Sequence, residues 1–164
     1  MLLWFAAGSV AIVWAVFQSP AIDYRMVMLG SVLGVLETPW GPGPLHTLIV
    51  PTLVLGIVML ATRGRRLLRR RWLGLPIGMY LFVVLDFGWL NSDVFWWPFS
   101  GWSFPDEPAP IVDRGVWSLV LEAIGIALAV FLWSRFGLDD VGRRQRFLRT
   151  GQLDRSFVSR GSGE

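Results

Sequence analysis

The side chains in this sequence that could do chemistry in an apolar setting are few, and they lie in or at the ends of hydrophobic runs. Glu37 ends one run, His46 begins the next, and Asp86 and Glu122 lie within two later runs. One imidazole with several carboxylates could bind a divalent cation, with mixed nitrogen and oxygen ligands suiting zinc or manganese and carboxylates alone suiting magnesium or calcium. A bound cation could activate water for hydrolysis.

The same residues also have structural interpretations, which the sequence leaves open. His46 could cap a helix, Asp86 could hydrogen-bond Asn91 or Trp89, and Glu122 could be a polar contact between helices. The chain has a single histidine, which excludes the zinc motifs that need two. It has no cysteine, which excludes disulfides, thiolate metal sites and cysteine nucleophiles.

The elements that must position these residues are apolar. Of the 164 residues, 54% are hydrophobic and 16% are charged, whereas soluble domains are typically about 25% charged. A helix that crosses a bilayer needs roughly 20 apolar residues. The chain is therefore predicted to be an all-α, polytopic integral membrane bundle of four or five transmembrane helices. The apolar runs are residues 1–18, 26–40, 45–62, 73–90 and 116–136.

The number of spans depends on the second run, residues 26–40, which is short and either crosses the membrane or is re-entrant. A turn rich in proline and glycine follows it, and an aromatic segment at residues 95–102 is typical of a membrane interface. The predicted domains are a transmembrane domain at 1–136 and a basic cytoplasmic tail at 137–164.

All the basic side chains except His46 are arginines, and most of them stand in two groups, at residues 63–71 and 143–149. Arginine-rich loops stay on the cytoplasmic side, so both groups and the C-terminus are expected there, in a plasma (inner) membrane protein. The four candidate side chains then lie toward the external face. Anionic lipid head groups are the expected partners of the arginines, and nucleic acid is not. A protein partner or a homo-oligomer is left open.

Three segments carry a resemblance to a known family. Residues 33–39 read Leu-Gly-Val-Leu-Glu-Thr-Pro and are followed by Leu-His-Thr-Leu at 45–48; an arginine-rich segment occupies 61–71; Leu85-Asp86 precedes Phe-Trp-Trp-Pro-Phe at 95–99. Their order and spacing resemble small actinobacterial membrane proteins related to the inner-membrane metal-dependent hydrolase family. The resemblance covers roughly residues 27–104.

The resemblance implies that Glu37, His46 and Asp86 are the metal-binding and catalytic residues. In an active site the metal would polarise water, with Glu37 or Glu122 as the general base. The family pattern has a His-x-x-x-Asp on a membrane helix, and this chain has Phe82 where that histidine stands. Positions 82 and 86 share one face of a helix, and phenylalanine cannot ligate a metal. The resemblance therefore indicates a degenerate member of the family.

Two hypotheses follow for the function. The first is a protein resembling metal-dependent membrane hydrolases, with a reduced or vestigial metal site near the outer face. It requires Glu37, His46 and Asp86 to lie within about 5 Å of one another around an accessible cavity. The second is a non-enzymatic membrane scaffold or subunit of a membrane complex, held together by faces such as Gly30-x-x-x-Gly34. It predicts that Glu37, His46 and Asp86 point to separate partners and that Phe82 packs where a metal would lie.

Overall fold

The computed structural model describes residues 1–37, 43–90, 92–101 and 115–153, and the regular structure in these ranges is helical. Short 3-10 turns extend α2, precede α3 and follow α5, at Gly34–Leu36, Pro44–His46 and Gly88–Leu90. The prediction of an all-α chain therefore holds for these residues. The helices are α1 (Leu2–Phe17), α2 (Tyr24–Leu33), α3 (Ile49–Ala61), α4 (Arg66–Trp72), α5 (Gly74–Leu85), α6 (Ser92–Phe95), α7 (Val116–Arg135) and α8 (Val141–Thr150).

The prediction of a bundle with four or five transmembrane helices is wrong. In the described residues only α7, with 20 residues and a mean hydropathy of 2.1, is long and apolar enough to cross a membrane. The helices α1, α2 and α3 have 16, 10 and 13 residues. The apolar runs are longer than the helices because turns occupy their ends. The run at 26–40 passes into a 3-10 turn at Gly34, and the helix in the run at 73–90 ends at Leu85.

Helices α2 and α5 lie side by side in parallel and make the most extensive helix–helix contact of the described residues. Small residues face each other there, Gly30-x-x-x-Gly34 on α2 and its extension and Gly74-x-x-x-Gly78 on α5. A Cβ on Gly30 would overlap the backbone of Leu75, and one on Gly78 would overlap the carbonyl of Val27. Glycine lets the two backbones approach this closely. The sequence predicts the first spacing as a packing face, and the structure adds the second.

Helices α1 and α7 also run parallel, and a polar contact joins the first turn of α1 to the second turn of α7. The backbone N–H groups of Leu3 and Trp4 donate to the Glu122 carboxylate, at 3.3 and 3.4 Å. The first N–H groups of a helix have no partner within the helix, so Glu122 supplies one. Gly125, one turn further along α7, leaves no room for a Cβ beside the backbone of Trp4. Glu122 thus makes a structural contact with the start of α1.

The segment that follows α7 folds back onto the body of the protein. Asp140 caps α8 by accepting from the backbone N–H of Arg143 at 2.8 Å, and Gly151 ends it with a φ of 69°. Leu138 and Leu153, on either side of α8, are buried in a core cluster around Tyr24. Several sequence predictions lie outside the described residues: Asn91, and parts of the turn after Glu37, of the external loop and of the tail, at 38–42, 102–114 and 154–164.

Candidate functional site

Three segments that are far apart in the sequence meet at one end of the α2–α5 pair. Glu37 follows the 3-10 extension of α2, and Asp86 follows the last residue of α5. Because α2 and α5 are parallel, these two C-terminal ends lie together. His46 closes the 3-10 turn that precedes α3, and it lies at the same end. Glu37, His46 and Asp86, which the family resemblance singles out, are therefore neighbours, and the expectation that they point to separate partners is wrong.

The imidazole of His46 lies between the two carboxylates. Its Nδ1 is 3.2 Å from Glu37 Oε2, a hydrogen bond, and its Nε2 is 3.9 Å from Asp86 Oδ2. The second distance exceeds hydrogen-bond length. Glu37 Oε2 also accepts from the backbone N–H of Leu45 at 2.8 Å. Glu37 therefore holds both the turn and the ring, and Asp86 faces the other nitrogen.

This array is enclosed. The side chains of His46 and Asp86 are 2% and 0% exposed, and that of Glu37 is 19% exposed. Burial lowers the pKa of the His46 imidazole, and the hydrogen bond and charge of Glu37 only partly oppose this shift. A neutral ring that donates its Nδ1–H to Glu37 carries a lone pair on Nε2. That lone pair points toward Asp86, where a proton or a cation would stabilise the contact.

Phe82 fills the space beside the array. It lies one helical turn before Asp86, is 1% exposed, and meets the His46 ring edge-on with centroids 5.1 Å apart. On its other side it packs against Phe5, with centroids 4.9 Å apart. A Cβ on Gly34 would overlap the Phe82 ring. The position at which the family pattern has a histidine is therefore occupied by a packed aromatic side chain.

The described residues do not complete a metal site. Within 1–37, 43–90, 92–101 and 115–153, no group of three or more His, Cys, Asp or Glu side chains is arranged to hold a metal ion. A catalytic zinc ion commonly has three protein ligands. Here His46 Nε2 and the Asp86 carboxylate face each other, while Glu37 is turned to the opposite nitrogen. A zinc or manganese ion at these residues stays a prediction from the sequence.

A second buried carboxylate lies at the other end of α2, and the sequence analysis missed its role. Asp23 caps α2 by accepting from the backbone N–H of Arg25 at 3.2 Å, and its Oδ2 is 3.2 Å from Arg71 Nε. This contact is an ion pair without hydrogen-bond alignment. The Asp23 side chain is 2% exposed. An aspartate one residue before a helix is a recognisable cap, but nothing in the sequence indicates Arg71 as its partner.

Comparisons of the chain with family models, with curated proteins and with solved structures find no match. The relation to metal-dependent hydrolases therefore stays a prediction that rests on the three sequence segments. What the protein does has to be inferred from the geometry of its own residues.

Proposed function

We propose that this protein is a membrane-anchored helical scaffold in which Glu37, His46 and Asp86 form a structural polar array. One observation carries the proposal: the buried His46 ring has a carboxylate at each nitrogen, and the Phe82 ring packs against it in a T-shaped arrangement. The array joins the C-terminal ends of α2 and α5 to the turn that begins α3. It is a vestige of a hydrolase-type site if the family resemblance holds.

The buried polar groups of the array favour one arrangement of the three segments over others. A buried donor or acceptor that loses its partner costs about 1–3 kcal/mol, so an incorrect pairing of the three segments is disfavoured. Neighbouring hydrogen bonds fix the turn as well. The Thr47 hydroxyl donates to the carbonyl of Pro44 at 2.7 Å, and the Leu48 N–H donates to the carbonyl of Phe95 at 3.1 Å. These contacts hold α3 and the aromatic segment in place.

The membrane part of the proposal is supported by α7. Only 11% of the 18-residue apolar stretch of α7 is buried inside the molecule. A large exposed apolar surface marks contact with a membrane or a partner. We propose that α7 crosses the plasma membrane with its Arg135 end on the cytoplasmic side, where the arginines of α8 follow. Its most exposed large side chains include Val116, Trp117, Leu119, Val130 and Phe131.

A second candidate function, a cation site, is favoured by a separate observation. His46 Nε2 is buried without a hydrogen-bond partner among the described residues. A carboxylate that accepts from the other ring nitrogen, as Glu37 does, is the usual support of a metal-binding histidine. Under this alternative, His46 Nε2 and Asp86 would supply two ligands.

Metal content separates the two candidates. We would measure bound zinc and manganese in the detergent-solubilised full chain, beside His46→Ala and Phe82→His. The scaffold predicts no stoichiometric metal in the wild type, an unfolding temperature that chelators leave unchanged, and a loss of about 1–3 kcal/mol of stability in His46→Ala. Metal that appears only in Phe82→His would identify the array as a vestigial site.

The matched control is Asp93→Asn, which removes an exposed carboxylate outside the array. It should change neither the metal content nor the stability. Stoichiometric metal in the wild type that disappears in His46→Ala and persists in Asp93→Asn would overturn the scaffold and favour the cation site.

A further inference from the structure

A cavity of about 290 Å³ lies at the opposite end of α2 and α5 from the Glu37 array. Arg70 and Arg71 of α4 line it together with Arg149 of α8 and the loop residue Ala21. Its volume is near the lower limit of small-molecule sites, which are typically about 300–1,000 Å³. A space of this size suits a small anion.

The arginines meet because α8 is docked onto the start of α2. The backbone N–H of Tyr24 donates to the carbonyl of Gly151 at 2.9 Å, and Arg25 donates to the carbonyl of Leu148 at 2.5 Å. The Gln152 amide donates to the carbonyl of Ala21 at 3.3 Å. These bonds place the last turn of α8, which carries Arg149, beside the last turn of α4. The cavity is thus built by tertiary contacts.

The charges around this cavity are not balanced. Arg71 has Asp23 as its partner, at 3.2 Å between Nε and Oδ2. No carboxylate of the described ranges forms an ion pair with Arg70 or Arg149. Like charges repel at short range, and an anion between them removes that repulsion. Asp23 engages Arg71 through Nε, which leaves both terminal nitrogens of Arg71 able to donate.

We propose that this arginine cavity binds a phosphate group, carried by an anionic lipid head group or present as free phosphate. Guanidinium groups pair with phosphate oxygens through paired, charge-assisted hydrogen bonds. Phe136, which follows the last residue of α7, packs with Tyr24 beside this end of the molecule. If α7 crosses the membrane, the cavity lies at the level of the lipid head groups, although the phosphate chemistry itself does not depend on that.

The test measures binding to the detergent-solubilised full chain by isothermal titration at constant ionic strength. The probes are inorganic phosphate, dihexanoyl phosphatidylglycerol and, as the zwitterionic comparison, dihexanoyl phosphatidylcholine. We expect saturable binding in the wild type. The double variant Arg70→Gln with Arg149→Gln loses two guanidinium groups and should bind about tenfold more weakly, a difference of about 1.4 kcal/mol. Arg71 is left unchanged because it pairs with Asp23.

The matched control is Arg63→Gln with Arg66→Gln, which removes the same charge from exposed positions that do not line the cavity. It should bind within about twofold of the wild type if the cavity, and not net charge, is recognised. Circular dichroism establishes that each variant is folded. The single variant Arg149→Gln, with an intermediate loss expected, replaces the double variant if that one does not fold.

The probes separate the two sources of phosphate. Saturable binding of inorganic phosphate supports a free-phosphate site, and binding of phosphatidylglycerol alone supports a lipid head group. Two results would overturn the proposal. One is the absence of saturable binding of either anionic probe to the wild type. The other is an equal loss of affinity in the cavity variant and in its charge-matched control.

Discussion

The two ends of the α2–α5 pair each enclose an aspartate, but in opposite electrostatic settings. Asp23 stands at the N-terminus of α2, where the helix dipole stabilises a carboxylate, and its partner Arg71 is 50% exposed. Asp86 stands at the C-terminus of α5, where the dipole opposes negative charge, and it faces the buried His46 ring. The Asp23 end is therefore stabilised by an ion pair and is open to solvent. The Asp86 end is closed and relies on a polar array around a neutral imidazole.

The largest effect that separates the two ends is expected from Gly151→Ala. Gly151 has a φ of 69°, and a Cβ there would overlap the Asp23 carboxylate. We expect a loss of about 2–4 kcal/mol in the free energy of unfolding, because left-handed strain of about 1–2 kcal/mol adds to overpacking. Denaturant unfolding of the detergent-solubilised chain measures it.

Gly64→Ala is the matched control for that variant. Gly64 also has a positive φ, 82°, but a Cβ there meets nothing within 4 Å. It should lose only the backbone strain, about 1–2 kcal/mol. Equal losses in the two variants would show that α8 does not pack against Asp23.

Replacing each aspartate by asparagine tests the electrostatic difference directly. Asp23→Asn keeps a capping side chain but loses the charge that pairs with Arg71, and we expect it to lose about 1 kcal/mol of stability. Asp86→Asn should lose less, because a negative charge at this position would lie at the unfavourable end of a helix. Chemical unfolding of both variants at pH 7 compares them. A greater loss in Asp86→Asn would contradict the proposed contrast.

A smaller effect is expected from pH. Burial lowers the pKa of His46, so between pH 7 and 6 the unfolded chain binds a proton more readily than the folded one. Stability should therefore fall as the pH drops through about 6.5, the pKa of an unperturbed histidine, by up to about 0.7 kcal/mol between pH 7 and 6. His46→Gln should lose this pH dependence. An unchanged slope in His46→Gln would assign the pH dependence to other groups.

The smallest effect concerns the titration of Tyr24. Burial raises the pKa of the Tyr24 phenol to about 12, and its hydroxyl donates to the carbonyl of Ser19 at 3.0 Å. In a Tyr80→Phe background the ultraviolet absorbance of tyrosinate should therefore rise near pH 12. Combining Tyr80→Phe with Gly151→Ala should lower that pKa if α8 is what covers Tyr24. An ordinary tyrosine titration in the Tyr80→Phe background would contradict the burial.

Hydrophobic runs predicted the longest helices well and the shorter ones poorly. The runs at 1–18 and 116–136 nearly coincide with α1 (Leu2–Phe17) and α7 (Val116–Arg135). The run at 26–40 overlaps a helix of only 10 residues, Tyr24–Leu33, because hydropathy does not distinguish a helix from an apolar turn. The prediction of four or five transmembrane helices was wrong for this reason. Pro51 lies in the first turn of α3, where a missing N–H costs little.

What the sequence alone determined is local. It predicted an all-α chain with helices at the apolar runs, and it indicated Glu37, His46 and Asp86 as candidate site residues. The tertiary structure decided which helix ends meet. Paired glycine spacings bring α2 and α5 together in parallel, and this pairing places Glu37 and Asp86 on either side of His46. The tertiary structure also brings Arg71 to Asp23. Hydropathy depends on each residue and its close neighbours in the chain, whereas these contacts depend on backbone approach between distant segments.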